Sequence, residues 1–599
     1  MKYIQRYWKI VVSVVFAIAV AVFWALPAVS LLSYHEQYQL FLFTTGYFRE
    51  RLAVPGGLAD YIAEFITQWN YIFVVGALLL ALLFFVFQRL TWRIAKDEET
   101  ADVWYPLSFV PAILLLAYMS DANVMPSFLV ALVLVQLLML LWQKVACGAN
   151  PVVRVAFIVV VLPLSYWLLG SVMLVLAAYI FIYVLANKSR RLSPWIAIGA
   201  AIYAVATVLV VAQFRPEPLY RLFGGLNYYR FPAYIPWPQV GMMVLTAVLP
   251  FLLRLLPAVK AKIAIPIQII SVVAGGCALV FFSFRTIANE IIDYDYLVRM
   301  HAWDKIIEKA EKKQPTTPLE VSCVNFALSQ KGQLCDRLFE FYQNGGEGLF
   351  PTFTRDMLSP ISTGEIFYTL GMVNDAERYF FEAQQAIPNF RRSGRLCQQI
   401  ISCEIINGNY AVARKLLHEL SHSLFYSRWA DERLAMLGNE KKINADPVYG
   451  RLRKFRVSKD YLFSDTEMDQ MLGLVYTHCY QNRNAYEYLM AYELVQRDMT
   501  KFMEYYPIGR FAGYTDHIPY AIQQALVFDW TQRHGSFDGM PYSIEPQWQQ
   551  LMVQFIQAYM SNRESPVLST PPLSNTFWNY MLINKRKAKG TKKESKEVY

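Results

Sequence analysis

Up to about Arg285 the chain alternates long apolar runs with short charged clusters; beyond it charges recur every few residues and apolar positions fall at helical spacing. A hydrocarbon core about 30 Å thick needs about 20 apolar residues in helix, because unpaired backbone groups cannot be left in lipid. Runs of that kind lie near 8–32, 71–88, 104–120, 126–143, 154–169, 171–187, 195–214, 240–258 and 264–284. The uncharged stretch after Arg154 is read as a hairpin split at Gly170. The first run is 25 residues long and lacks a small-residue cleavage site, so it reads as a signal-anchor helix.

Short loops rich in Lys and Arg stay cytoplasmic. With the N-terminus inside, the inner loops carry fourteen such residues: Lys2, Arg6, Lys9, Arg89, Arg93, Lys96, Lys144, Arg154, Lys188, Arg190, Arg191, Arg254, Lys260 and Lys262. The outer loops before the last span carry five, Arg49, Arg51, Arg215, Arg221 and Arg230. Clusters on both sides of 154–187 require its two ends to share a face, which supports the hairpin and sends the residues after Phe284 outside. The expected location is a bacterial inner membrane, crossed many times, with a periplasmic C-terminal half.

Two outer loops are long. The first holds His35 and Glu36, an aromatic stretch to Tyr47, Arg49-Glu50-Arg51, and 58–69, where Leu58, Ile62, Phe65 and Ile66 share one helical face and Asp60, Glu64 and Gln68 lie elsewhere. That pattern predicts an amphipathic helix lying in the membrane interface. The second, 215–239, holds Tyr228-Tyr229-Arg230 and Pro232-x-Tyr234-x-Pro236-Trp237-Pro238, a stiff aromatic loop suited to headgroup level.

From Ile292 onward turn signals every 15 to 20 residues separate helical segments. In 366–388, Gly371, Ala376, Phe380, Ala383 and Pro388 stand at the spacing of an inter-helix turn, close-packed small residues, a core aromatic and a terminal proline; Gly408, Tyr410, Ala413, Leu417 and Leu420 follow. This resembles the tetratricopeptide repeat, whose units bury their open faces on one another. The predicted fold is all-α: a polytopic transmembrane helix bundle of about nine spans (1–285), a tetratricopeptide-like α-solenoid (286–440), a C-terminal helical capping region (441–584) and a basic disordered tail (585–599).

Composition agrees with this division. At 599 residues and 55% hydrophobic, the chain is too apolar for one soluble globule. Half of the formal charge of +10 comes from the tail, where seven Lys/Arg face two Glu, a solvated end rather than a nucleic-acid footprint. Seven cysteines show no CxxC spacing and give no disulfide framework.

An acidic residue just past the first span and another in the tiny loop after the third, here Glu36 beside His35 and Asp121 in Ser120-Asp121-Ala122-Asn123, resemble the C-superfamily of integral membrane glycosyltransferases over roughly residues 1–260. The resemblance implies Glu36, Asp121 and His35 as catalytic or divalent-metal residues. It also implies Arg215, Arg221, Arg230 and Tyr228 as ligands of a lipid-linked phosphate. The paired acidic motif of many members is missing, and the alternative is that Glu36 and Asp121 are interfacial residues that end spans. His418-Glu419-Leu420-Ser421-His422 satisfies H-E-x-x-H, which sets two imidazoles one turn apart for zinc with a glutamate as base. Ala413, Leu417 and Leu420 already assign that helix to repeat packing, so a chance match on a solvent-facing stripe is favoured over a zinc metalloprotease. No glycine-rich phosphate loop, Ser-His-Asp signature or nucleic-acid module is present.

Tyr294-Asp295-Tyr296-Leu297, Trp303-Asp304-Lys305-Ile306-Ile307 and the Tyr-rich segment 368–371 make the chain similar to an uncharacterised bacterial inner-membrane family of unknown function. Two roles remain open: a glycosyltransferase-like enzyme using a lipid-linked donor on the outer face, or a non-catalytic membrane-anchored scaffold that binds a periplasmic protein through its solenoid.

Overall fold

The computed structural model describes residues 2–583 apart from 98–99, 149, 187–192, 232–234, 258, 355, 459–460 and 513–516. The basic tail, Lys188, Arg190, Arg191, Pro232 and Tyr234 therefore lie outside the described residues. Everything described is helix, turn or loop; the one β-type pairing among these residues is an isolated antiparallel bridge between Val124 and Tyr229. The chain divides into two compact units. One comprises Met1–Glu290 together with Pro388–Gly394 and Glu419–Arg428, and the other comprises Ile291–Ile387, Arg395–His418 and Trp429–Tyr599.

In the first unit seven helices are long and apolar enough to cross a membrane: Tyr7–Ala25, Phe73–Ala95, Pro126–Gly148, Pro151–Leu169, Pro194–Ala212, Trp237–Leu255 and Ala261–Phe284. Two shorter apolar helices, Asp102–Tyr118 and Met173–Ala186, occupy the other predicted spans. The hairpin is present and breaks at Gly170, whose φ of +86° suits glycine alone; a Cβ there would stand 2.8 Å from the Tyr228 hydroxyl. The first predicted span is two elements. Its helix stops at Ala25, because Pro27 cannot donate the next backbone hydrogen bond, and a separate helix Val29–Gln37 follows, buried from Ser30 onward. Polar side chains bind the spans together without exposing themselves. Ser13 Oγ donates to Gln88 Oε1 at 2.6 Å, Gln88 Nε2 to Ser108 Oγ at 2.7 Å, and Gln136 Nε2 to Thr91 Oγ1 at 2.8 Å.

The helix Gly57–Thr67 is amphipathic in the opposite sense from a water-facing one. Asp60 and Glu64 are buried, whereas Phe65 is 40% exposed and Leu58, Ile62 and Ile66 are half-buried. The two-faced helix expected from the sequence is present, with its charged stripe against protein and its apolar stripe outward.

The second unit is a succession of short helices. Ser359–Leu370 and Val373–Ala386 are joined through Gly371 in the left-handed conformation, and Ala376, Phe380 and Ala383 are fully buried. Gly364 lets the pair close, since a Cβ would meet the Phe380 ring at 2.7 Å. Gly394–Asn407 and Tyr410–Leu420 follow, with Ala413, Leu417 and Leu420 buried. At Pro318–Gln330 a capping box joins Thr317 and Glu320 and Pro318 begins the helix. All seven cysteines are free thiols.

Glu493, on helix Arg483–Gln496, is buried; loss of solvation and the charge of nearby Asp469 push its carboxyl up to about 8. A carboxylic acid whose folded pKa lies above its unfolded value of 4.5 stabilises the fold below that value and loses the contribution as pH rises through about 8. Thermal unfolding between pH 5 and 8.5 should therefore show a Tm that falls with pH, and Glu493→Gln should flatten the fall; equal slopes in both proteins would place the titration elsewhere.

Candidate functional site

The break at Pro27 delivers the helix Val29–Gln37 to the end of the first unit with His35 and Glu36 enclosed in protein. The Glu36 carboxylate accepts a hydrogen bond from the Tyr426 hydroxyl. His35 is 2% exposed, and among the described residues neither of its ring nitrogens has a hydrogen-bond partner. Burial, and then the charges of Arg230 and Arg391, hold its imidazole down at about 3, so it is neutral at physiological pH.

Arg230 arrives from the second long loop. Its backbone N–H donates to the Asn123 carbonyl at 2.7 Å and the Met125 N–H donates to the Tyr228 carbonyl at 2.9 Å, which pins this loop to the segment after Asp121. The buried guanidinium lies over the Tyr34 and Tyr38 rings, 4.9 and 5.3 Å from their centroids. Desolvation lowers its pKa. Asp121 is held by the Asn123 N–H at 2.9 Å and by the Tyr229 hydroxyl at 3.0 Å. Tyr228 donates its hydroxyl to the Leu169 carbonyl, within the hairpin break.

A second group of charges adjoins the first. Arg391, on the returning segment 388–394, places Nη2 2.5 Å from Asp60 Oδ1, Nε 3.5 Å from Glu64 Oε1 and Nη1 3.9 Å from Met125 Sδ. Arg51 Nε meets Glu64 Oε2 at 2.9 Å, and Tyr47 donates its hydroxyl to the same oxygen. Burial and the charge of Asp60 raise the Glu64 pKa against the pull of the two arginines. The segments are anchored by backbone as well: Leu40 N–H donates to the Arg392 carbonyl at 3.0 Å and Phe43 N–H to the His422 carbonyl at 2.9 Å. Phe425 stacks on Tyr71 with centroids 4.9 Å apart.

The structure thus assembles His35, Glu36, Asp121, Tyr228 and Arg230 in one unit. Arg215 instead pairs with Glu217 at 2.6 Å, and Arg221 Nη2 donates to the Leu226 carbonyl at 3.2 Å. Sequence reasoning missed Arg391 and set Asp60 and Glu64 off the apolar face of an interfacial helix without a partner for them; two consecutive arginines in an inter-helix turn are the one local signal for the former. In the H-E-x-x-H segment the helix ends at Leu420, so His422 falls beyond its last turn; both histidines are exposed and Glu419 forms an ion pair with Arg392. Among the described residues no three His, Cys, Asp or Glu side chains form a group able to hold a metal ion.

Chemically, this is a buried cluster in which a neutral imidazole feels the charges of two guanidinium groups, one of them over tyrosine rings. Such a set suits an anion, since a guanidinium delivers directed hydrogen bonds and charge together where water does not compete. A family model described as "Family of unknown function (DUF6057)" matches residues 6–584. No curated relative and no solved structure matches the chain.

Proposed function

Since the chain belongs to DUF6057, a family of unknown function, we propose its role from the site alone: a bacterial inner-membrane protein of the cell envelope that holds the phosphate of a lipid-linked substrate against His35, Arg230 and Arg391. Glu36 and Asp121 are then the carboxylates available for glycosyl transfer. The observation that carries the reading is His35, whose two ring nitrogens are buried and, among the described residues, unpartnered, under the influence of two arginine charges. A buried polar atom without a partner costs about 1–3 kcal/mol, a cost that an incoming oxyanion relieves. The fourteen-to-five bias of basic residues supports a cytoplasmic N-terminus and a periplasmic C-terminal half; a reporter fused after Tyr599 reads that orientation directly.

Binding of a radiolabelled polyprenyl phosphate to the detergent-purified chain tests the site. Arg230→Gln and His35→Leu should each weaken binding at least about tenfold, equivalent to about 1.4 kcal/mol, and the uncharged polyprenol should not compete. Unchanged binding in both variants, or competition by the polyprenol, refutes the reading. A non-catalytic anchor that binds a periplasmic partner through its helical repeats is the second reading. It is favoured by the engagement of both carboxylates, Glu36 by Tyr426 and Asp121 by Tyr229 and Asn123. Turnover of a lipid-linked sugar by the wild type, lost in Glu36→Gln, decides for the enzyme.

A further inference from the structure

The second unit contains a cavity of about 360 Å³ lined by Ile406, Asn407, Gly408, Tyr410, Glu440, Arg453 and Arg456. That size lies within the roughly 300–1,000 Å³ range of small-molecule sites. Its wall is a closed hydrogen-bond network. Arg453 reaches Glu440 Oε2 at 2.6 Å, Asn444 Oδ1 at 2.9 Å, the Tyr410 hydroxyl at 2.8 Å and the Ile405 carbonyl at 3.0 Å, while Tyr410 also donates to Glu440. Glu440 is therefore spent on Arg453 and Tyr410.

Arg456 is the group left over. Its Nη1 is fixed by Asn407 Oδ1 at 2.8 Å and the Ile406 carbonyl at 3.5 Å, contacts that cap the end of helix Gly394–Asn407. Among the described residues no carboxylate pairs with it and its Nε and Nη2 make no hydrogen bond. Asn407 is itself held from behind, donating Nδ2 to Glu377 Oε2 at 3.1 Å, so the guanidinium is oriented before anything binds. A guanidinium fixed at Nη1 in the lining of a cavity has an Nε–Nη2 fork that matches a planar carboxylate in two parallel hydrogen bonds. Beside it Gly408 leaves open space, with no atom within 4 Å of where a Cβ would stand.

We propose that this cavity is a binding site for a small carboxylate-bearing molecule, held by the Nε–Nη2 fork of Arg456. The site is independent of the one in the first unit. Phenylglyoxal footprinting of the full-length chain, with succinate as probe, tests it without a mutation. At succinate four times its Kd, modification of Arg456 should slow about fivefold, following 1 + [L]/Kd, while the exposed Arg563 reacts unchanged. Succinate should also raise the Tm of the wild type and fail to do so in Arg456→Lys, which keeps the charge and loses the fork. Absence of protection, protection by sodium chloride of the same ionic strength, or equal protection by inorganic phosphate overturns the proposal.

Discussion

Arg391→Ala is expected to destabilise the first unit by about 3–5 kcal/mol, because it strips a buried cation from two buried carboxylates at once. Asp60 and Glu64 stand one turn apart on the helix Gly57–Thr67, both at most 2% exposed, and Arg391 touches each. Arg51 still faces Glu64, so Asp60 is the group left without a counter-charge. The sign with pH follows. Arg391 pulls the Glu64 pKa down, so removing it raises that pKa further, and the penalty is full when Glu64 is ionised and shrinks as pH falls and it takes up a proton. Unfolding of wild type and variant in mixed detergent micelles at pH 5 and 8 measures it. Asp60→Asn with Glu64→Gln added to Arg391→Ala should recover most of the loss; a loss under about 1 kcal/mol at pH 8 would mean that water already reaches these groups.

The second large effect is expected in the other unit. Arg395 holds both oxygens of Asp295 at 2.9 and 3.0 Å and Glu365 Oε1 at 3.0 Å from Nε, with all three side chains buried. Three helices, Ile287–Arg299, Ser359–Leu370 and Gly394–Asn407, thus meet at one guanidinium. Arg395→Met leaves two acids in the core and should cost about 3–5 kcal/mol. The triple replacement Asp295→Asn, Glu365→Gln, Arg395→Met should regain most of that, since removing every charge also removes the desolvation cost. Chemical unfolding followed by far-UV circular dichroism separates the outcomes, and a triple variant no better than the single one would show that the contacts, rather than the charges, hold the helices.

How far these features were readable from residues alone differs by type of signal. Apolar length is dictated by the bilayer, so each predicted span has a helix at its place, and Gly170 marked the hairpin because a left-handed residue without a Cβ ends a helix. Pro27 went unread, since a hydropathy run continues across a proline that the backbone cannot follow. His35, Glu36, Asp121 and Arg230 were singled out by the resemblance to integral membrane glycosyltransferases, not by periodicity or spacing. The burial of Asp60 and Glu64 was not legible, because periodicity separates two faces of a helix without saying which one meets protein. Arg391 carried no long-range signal at all: nothing in one sequence couples it to a carboxylate 331 positions away. Arg215, taken from the same resemblance, pairs with Glu217 two residues on.

The segments 388–394 and 419–428 belong to the unit built from the first 290 residues, and this bears on biosynthesis. At about 5–20 residues per second, a ribosome that has just added Asp60 needs roughly 15 to 65 s more to reach Arg391. For that interval the helix Gly57–Thr67 carries an acidic pair awaiting Arg391, and the nascent chain cannot finish its amino-terminal unit until residues 388–428 have been made.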